Sequence, residues 1–447
     1  MIERIEHRGK LVYECSLPGE TRSDDVYPGH PNGIQVSRDR FLLLFATRSY
    51  RGVDDALSII YQVRDGGFDG PVLREGHLAQ TRNDWDPFND GSRYVRQHSH
   101  VTGFGVPKGA LVQGRAAPHE NLFAIKWYRT MRIVDPATGF LRSGRDHPEL
   151  TARTLGVEWV QVRLNDAEDD LEIVQPAQQL RQRGYEQGDA FCSADMGWMN
   201  QSMVQAVPFN ADCTEWADVN HFDDRRLAAL KYRYNPQRGV YEWVEIGPAI
   251  GDSLSEASLA QYRGEWIISA RTGGKVAWMR TADPFSASAP VVQFAVPDNN
   301  APLTAYTCPD GVLRLLGGEH SVSPHGSTRN PLYLWDIDPD NGFAASNRRE
   351  VFDSVKAGLP APAVGAVTAG PARGWWFDMA KLLPHAGGPV QLIAHRIVTR
   401  SNNDPGHTGH AVTPAEKAVH GLYYAAVHYA EPLPNPWQFA EDDGPSA

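Results

Sequence analysis

Residues 264–271, Gly-Glu-Trp-Ile-Ile-Ser-Ala-Arg, are followed three residues later by Lys275-Val-Ala-Trp-Met-Arg280. The first run is apolar and ends in small and polar residues. The second alternates and carries an aromatic. Short runs of this kind between turn residues read as strands. The same couplet recurs. Arg40-Phe-Leu-Leu-Leu-Phe-Ala-Thr-Arg48 precedes Ala56-Leu-Ser-Ile-Ile-Tyr-Gln-Val63. Gly311 to Gly317 precedes Pro331 to Asp336, and Gly388 to Arg396 precedes His420 to Val427. Leu122–Tyr128, Leu227–Tyr234 and Val157–Leu164 read as further second strands. This makes about seven units, each of roughly 65 residues. Antiparallel sheets repeated at such a period predict an all-β chain, a seven-bladed β-propeller. Two stacked β-sandwich domains are the alternative.

The rest of the chain fits that reading. It has 447 residues, with 41 Gly, 32 Pro, 12 Trp and 16 Tyr, a turn- and strand-rich composition. No Ser/Gly or charged linker interrupts the pattern, so residues 1–447 are expected to be one propeller domain, with a loosely packed tail from about 430. Helical periodicity is confined to Pro148–Leu155, Pro176–Arg183 and Pro414–Val419. In a propeller, the strand that opens each unit lines the axis. That would aim Arg48, Arg271, His320 and Arg396 at the central channel.

Net charge is −11, which disfavours nucleic acid and anionic membranes as partners. No run reaches membrane-span length. The opening residues, MIERIEHRGKLVYEC, contain no apolar leader, so the chain as given is expected to be cytoplasmic, and periplasmic or secreted if a leader was removed. Cys15, Cys192, Cys213 and Cys308 form no CxxC pair, which argues against a structural zinc site; a Cys192–Cys213 disulfide stays open. No GxSxG elbow occurs.

Chemistry concentrates in Tyr94 to Arg132, YVRQHSHVTGFGVPKGALVQGRAAPHENLFAIKWYRTMR. His98, His100 and His119 flank a Gly/Pro-rich turn, and Arg129 and Arg132 close the strand that follows. Histidine titrates near neutrality and can move a proton or ligate a metal. Arginine forks onto carboxylates. Together they predict a site for an anionic substrate that loses a proton. His30 sits in an early loop that could reach the channel mouth. Asp24, Asp25, Asp54 and Asp55 could hold a hard cation, but a solvated loop is the simpler reading. Trp198 lies among Met196, Met199 and Met203, a core-like setting from which it could also stack on a sugar face.

Around FGVPKGA and HENLFAIKW, with His98 and His119 about twenty residues apart, and in Gly33-Ile-Gln-Val with Arg51-Gly-Val-Asp-Asp55, the chain resembles the β-propeller polysaccharide lyases and their BNR-repeat, sialidase-like relatives. These include ulvan lyases of polysaccharide lyase families 24 and 25, rhamnose–glucuronate lyases and rhamnosidases. The resemblance implies β-elimination at a uronic acid in an anionic oligosaccharide or polysaccharide. It implies a histidine acid or base, His98 or His119, with His119 preferred and Asn121 orienting it. It also implies a tyrosine and a carboxylate-neutralising arginine. No motif places these two; Tyr185 and Arg271, or Arg129, are taken for them, with His30, His100 and Trp198 as substrate contacts. For Arg271 the competing reading is an ion pair with Glu256. A divalent cation, calcium or zinc, is left open. The alternatives are a sialidase-like or rhamnosidase-like glycoside hydrolase, which would use carboxylates such as Glu256, Glu319 and Asp378, and a non-catalytic glycan-binding propeller.

Overall fold

The computed structural model describes residues 1–11, 17, 26–49, 56–85, 91, 94–134, 141–143, 156–180, 192–193, 197–198, 206–222, 226–286, 288, 290–298, 303–319, 321–324, 329–359, 376–383, 388–398 and 414–440. Tyr185, His320 and the loop aspartates 24, 25, 54 and 55 lie outside them.

The all-β propeller is what the sequence folds into. Its sheets follow one another along the chain, each antiparallel. The first blade runs Val26–Gln35, Arg40–Ser49, Ala56–Asp65 and Val72–Ala79. The second is enlarged to six strands. Arg82–Trp85, Tyr94–Val106, Leu122–Val134, Gly156–Leu164 and Leu171–Gln179 lie side by side, and Leu141–Ser143 pairs with Leu122–Val134. The third spans Val207–Pro208 to Val240–Ile246, the fourth Ser255–Tyr262 to Gln293–Asp298, and the fifth Thr304–Thr307 to Ala344–Phe352. The sixth combines Trp376–Leu382, Val390–Val398 and Gly421–Tyr429 with the N-terminal strand Ile2–Lys10, which is its outermost member.

Among the described residues, six of the sheets hold four or more strands and smaller sheets join them. Leu122–Tyr128 and Val157–Leu164 were counted as separate units, but they are neighbours in the second blade. Among the described residues the apolar core falls into six clusters, each between neighbouring sheets. In Arg40–Ser49, for instance, Leu42 and Leu44 face Val101, Ile125 and Trp127 of the second blade, while Leu43 and Phe45 face Ala394 and Leu422 of the sixth. A strand buried on both faces reads as a continuous apolar run, which is why these second strands dominate the sequence pattern.

The innermost strands are the ones the sequence hides. Arg40–Ser49, Glu265–Arg271, Leu313–Gly317 and Val390–Val398 are second strands, and each is preceded by the strand that lines the axis. The first of these, VYPGHPNGIQ, holds two prolines and two glycines and so carries no strand signal. Pro414–Val419 is helical as expected. Leu171–Gln179, which includes Pro176, is instead a strand, at the outer edge where proline is tolerated; Pro148–Leu155 lies outside the described residues. Within the expected tail, Trp437–Phe439 pairs with Ala110–Val112 and Trp437 packs against Trp216. Cys213 is a free, buried thiol, so the Cys192–Cys213 disulfide is absent.

Candidate active site

Four inner strands break register at matching places: between Gly29 and Asn32, between Ser99 and Thr102, between Ser255 and Ser258, and between Asp378 and Lys381. Three of these bulges force a non-glycine residue into the left-handed region: His30 at φ 49°, His100 at φ 55° and Glu256 at φ 45°. Each such residue costs on the order of 1–2 kcal/mol. Bulges re-aim side chains and cluster at active sites.

Two of the strained residues meet. The His30 and His100 rings lie 4.0 Å apart between centroids, across the first and second blades. The His100 backbone N–H donates to His30 Nδ1 at 3.3 Å. Nδ1 is therefore an acceptor, and in the neutral ring the proton sits on Nε2. Ser99 Oγ lies 2.7 Å from His100 Nδ1. His30 is buried, and His100 is partly open.

One residue further along the axis is a buried polar waist. The Val101 carbonyl accepts from Asn32 Nδ2 at 3.2 Å and from Lys381 Nζ at 3.4 Å, so the first, second and sixth blades converge on one oxygen. Lys126 forms an ion pair with Asp218 and donates to the Tyr232 hydroxyl, which in turn donates to Asp218 Oδ1 at 3.1 Å; Asn220 Nδ2 donates there too. Burial pushes Lys381 down to about 7. It also lowers Lys126 well below the usual ammonium range, with nearby Lys381 adding to the effect.

His98 and Arg129 belong to a different arrangement. Glu158 accepts from Arg129 Nη1 at 2.5 Å, from Arg96 Nη2 at 2.7 Å and from Trp127 Nε1 at 3.0 Å, and His98 Nε2 stands 3.7 Å away. Burial alone would raise the Glu158 carboxyl, but Arg129 and Arg96 hold it below its ordinary range. Removing one partner from such a cluster leaves buried charge behind. Glu158→Ala is expected to cost about 3–5 kcal/mol in urea unfolding. A change under about 1 kcal/mol, the scale of a surface pair, would show the cluster to be dispensable.

Arg271 also has a carboxylate: its Nη1 donates to Glu256 Oε2 at 2.6 Å, the ion pair weighed against a substrate role. Glu319 is buried and accepts from Ser321 Oγ. Asp378 pairs in register with Arg396. Trp198 lies in the short strand Gly197–Trp198, paired with Cys192–Ser193.

The structure separates His119 from His98. Leu122 is opposite Val106 and Arg129 is opposite His98, so the two histidines flank opposite ends of one hairpin, about 23 Å apart at 3.3 Å per residue. His119 is buried against Tyr234 and Tyr241, and burial lowers its pKa. Asn121 does not orient it, because its amide exchanges two hydrogen bonds with the Leu164 backbone. Sequence reasoning missed Lys126, Lys381, Asp218 and Asn32. The one available signal was Lys126, a charge inside the apolar run Leu122–Tyr128.

The axis also holds a cavity of about 380 Å³, walled by Ile34, Phe104, Leu259, Tyr306 and Leu382 and closed by Leu433–Trp437. It lies past the waist at the other end of the channel. Its walls are apolar, so the charge-bearing chemistry belongs to the histidine end. Among the described residues no group of three or more His, Cys, Asp or Glu is placed to hold a metal.

No protein-family model matches the sequence, and no curated protein matches it. Solved structures do match. Trypanosoma rangeli sialidase is 11% identical with a TM-score of 0.54, the match covering 94% of this chain and 59% of that one. A point mutant of NanB sialidase from Streptococcus pneumoniae is 10% identical with a TM-score of 0.54, covering 94% and 70%. A Dyadobacter fermentans protein of unknown function is 10% identical with a TM-score of 0.51, covering 96% and 100%. The chain thus spans about three-fifths of the trypanosomal enzyme. At these identities the likeness is one of fold: the chain shares the β-propeller architecture of these structures.

Proposed function

We propose that this propeller is an enzyme that cleaves an acidic oligosaccharide at a uronic acid by β-elimination, with His30 and His100 moving the protons. The observation that carries the reading is their meeting at two strained bulges on the axis. Strain at an axial position has to be maintained by the surrounding fold, and a proton-transfer pair is a use for it.

The step balances without water. One imidazole takes the proton α to the carboxylate. The C–H electron pair becomes the new C=C bond, and the β C–O bond breaks. The leaving oxygen departs with a proton from the other imidazole. A cation must hold the carboxylate while negative charge builds on it.

The test is ultraviolet absorbance during incubation with a panel of uronate-containing oligosaccharides. A rising signal from the conjugated double bond is the expected result. Reducing sugar released without that signal would replace elimination by hydrolysis, the reaction suggested by the names of the sialidase neighbours, and would turn attention to Glu256 and Glu319. Silence on both counts would favour a glycan-binding propeller.

A further inference from the structure

The elimination reading requires a cation for the substrate carboxylate, and the arginines expected to supply it are engaged. Arg129 is bound to Glu158 and Arg271 to Glu256. The axis offers another group. Lys381, on the innermost strand of the sixth blade, reaches the Val101 carbonyl, one residue from His100 and beside Asn32.

The groups facing it can be counted. From the second blade comes Lys126, near enough for the two amines to act on one another, and Lys126 is itself bound to Asp218 and the Tyr232 hydroxyl of the third. The histidine pair stands at the adjacent bulges. The Asp218 carboxylate is thus taken up by Lys126. Among the described residues Lys381 has no carboxylate partner. A second ammonium cannot be kept in so dry a place without a counter-ion.

We infer that Lys381 is the substrate-carboxylate anchor: the uronate of the bound sugar supplies the missing negative charge, and binding is coupled to uptake of a proton by Lys381. The inference rests on the proposed function for the identity of the ligand. The buried position supports the coupling. With its pKa near 7 in the empty site, the amine is mostly neutral at pH 8, and a carboxylate beside it restores the ammonium form. The uronate should therefore bind more weakly as pH rises above about 7. The neutral sugar should show no such dependence.

The experiment is calorimetric titration at pH 8 with methyl glucuronoside, repeated in two buffers of different ionisation enthalpy to count protons. Methyl glucoside serves as the uncharged control. Uptake close to one proton per site is expected with the uronate and none with the glucoside. Lys381→Met should lose the uptake and about tenfold to a hundredfold in affinity, the range for a charge-assisted hydrogen bond. Should Lys381→Met fail to fold, the wild-type proton count still decides. Uronate binding without uptake, or with full affinity in Lys381→Met, overturns the anchor, as does absence of uronate binding. The elimination assay is read separately. Proton-coupled binding with no unsaturated product would remove the lyase reading and leave the anchor standing.

Discussion

Replacing His30 with alanine is expected to lower turnover by about 10²–10⁴, the usual contribution of a positioned acid or base. His100→Ala should fall in the same range. The double variant should lose little more than either single one, because groups that act as a unit do not contribute additively. The loss should appear mainly in kcat, since the sugar ring and its carboxylate are held elsewhere. His119→Ala is the informative contrast. Its ring lies at the far end of the hairpin, and its removal should leave turnover within a few-fold of wild type. Rates that survive His30→Ala and collapse in His119→Ala would move the site to the opposite mouth of the channel. Circular dichroism and thermal melting should accompany each variant. Alanine also relaxes little of the left-handed strain at φ 49° and φ 55°, so His30→Gly and His100→Gly separate backbone relief from lost chemistry.

Acid should open the ring where its ends meet. His395 is fully buried, with its ring 5.0 Å from Phe352 and 5.8 Å from Tyr423. His7, on the N-terminal strand, stacks 4.5 Å from Phe352 and stands 6.2 Å from His395. Burial, reinforced by His7, lowers His395 to about 3; burial also lowers His7. In the unfolded chain an imidazole binds its proton near pH 6.5. The folded state binds it only near 3. The unfolded state therefore holds more protons across that window, and stability falls as pH drops through it. Each pH unit costs about 1.4 kcal/mol, so about 2–3 kcal/mol should disappear between pH 6.5 and pH 4.5 from His395 alone. Urea unfolding at the two pH values measures it. Glu158, Asp310 and Asp336, whose pKa values are lowered in the fold, also lose stability in acid, lower in the range. The comparison with His395→Phe isolates the imidazole: the variant should flatten the slope between pH 6.5 and 4.5. An unchanged slope would show that this seam does not sense protons.

The parts legible in the sequence were those driven by continuous burial. Second and third strands of the blades announce themselves as apolar runs because both faces are covered. The innermost strands do not, because bulges, prolines and glycines interrupt them. The grouping of strands into sheets was hidden for a related reason. The second blade carries extra strands, and periodicity cannot tell a widened sheet from an additional one. The proposed site was half visible. His30 and His100 were marked as substrate contacts by residue type, but their meeting depends on two bulges in different blades. His98 and His119 attracted attention through spacing along the chain, and strand register put them at opposite ends. Arg129 and Arg271 were expected to neutralise a substrate carboxylate, but each is paired with a carboxylate of the protein itself, Glu158 and Glu256. Lys381 lies some 280 residues from its Val101 acceptor, beyond the reach of any local pattern.

The N-terminal strand completes the last blade, with Ile5 paired to Val427. On a ribosome that relation becomes a delay. The segment is made before its partner, which follows some 420 residues later. At about 5–20 residues per second, it waits roughly 20–80 s with its hydrogen-bonding edge unmatched. Its composition suits the wait, because IERIEHRGK alternates charge with only two large aliphatics and gives a passing chain little to adhere to.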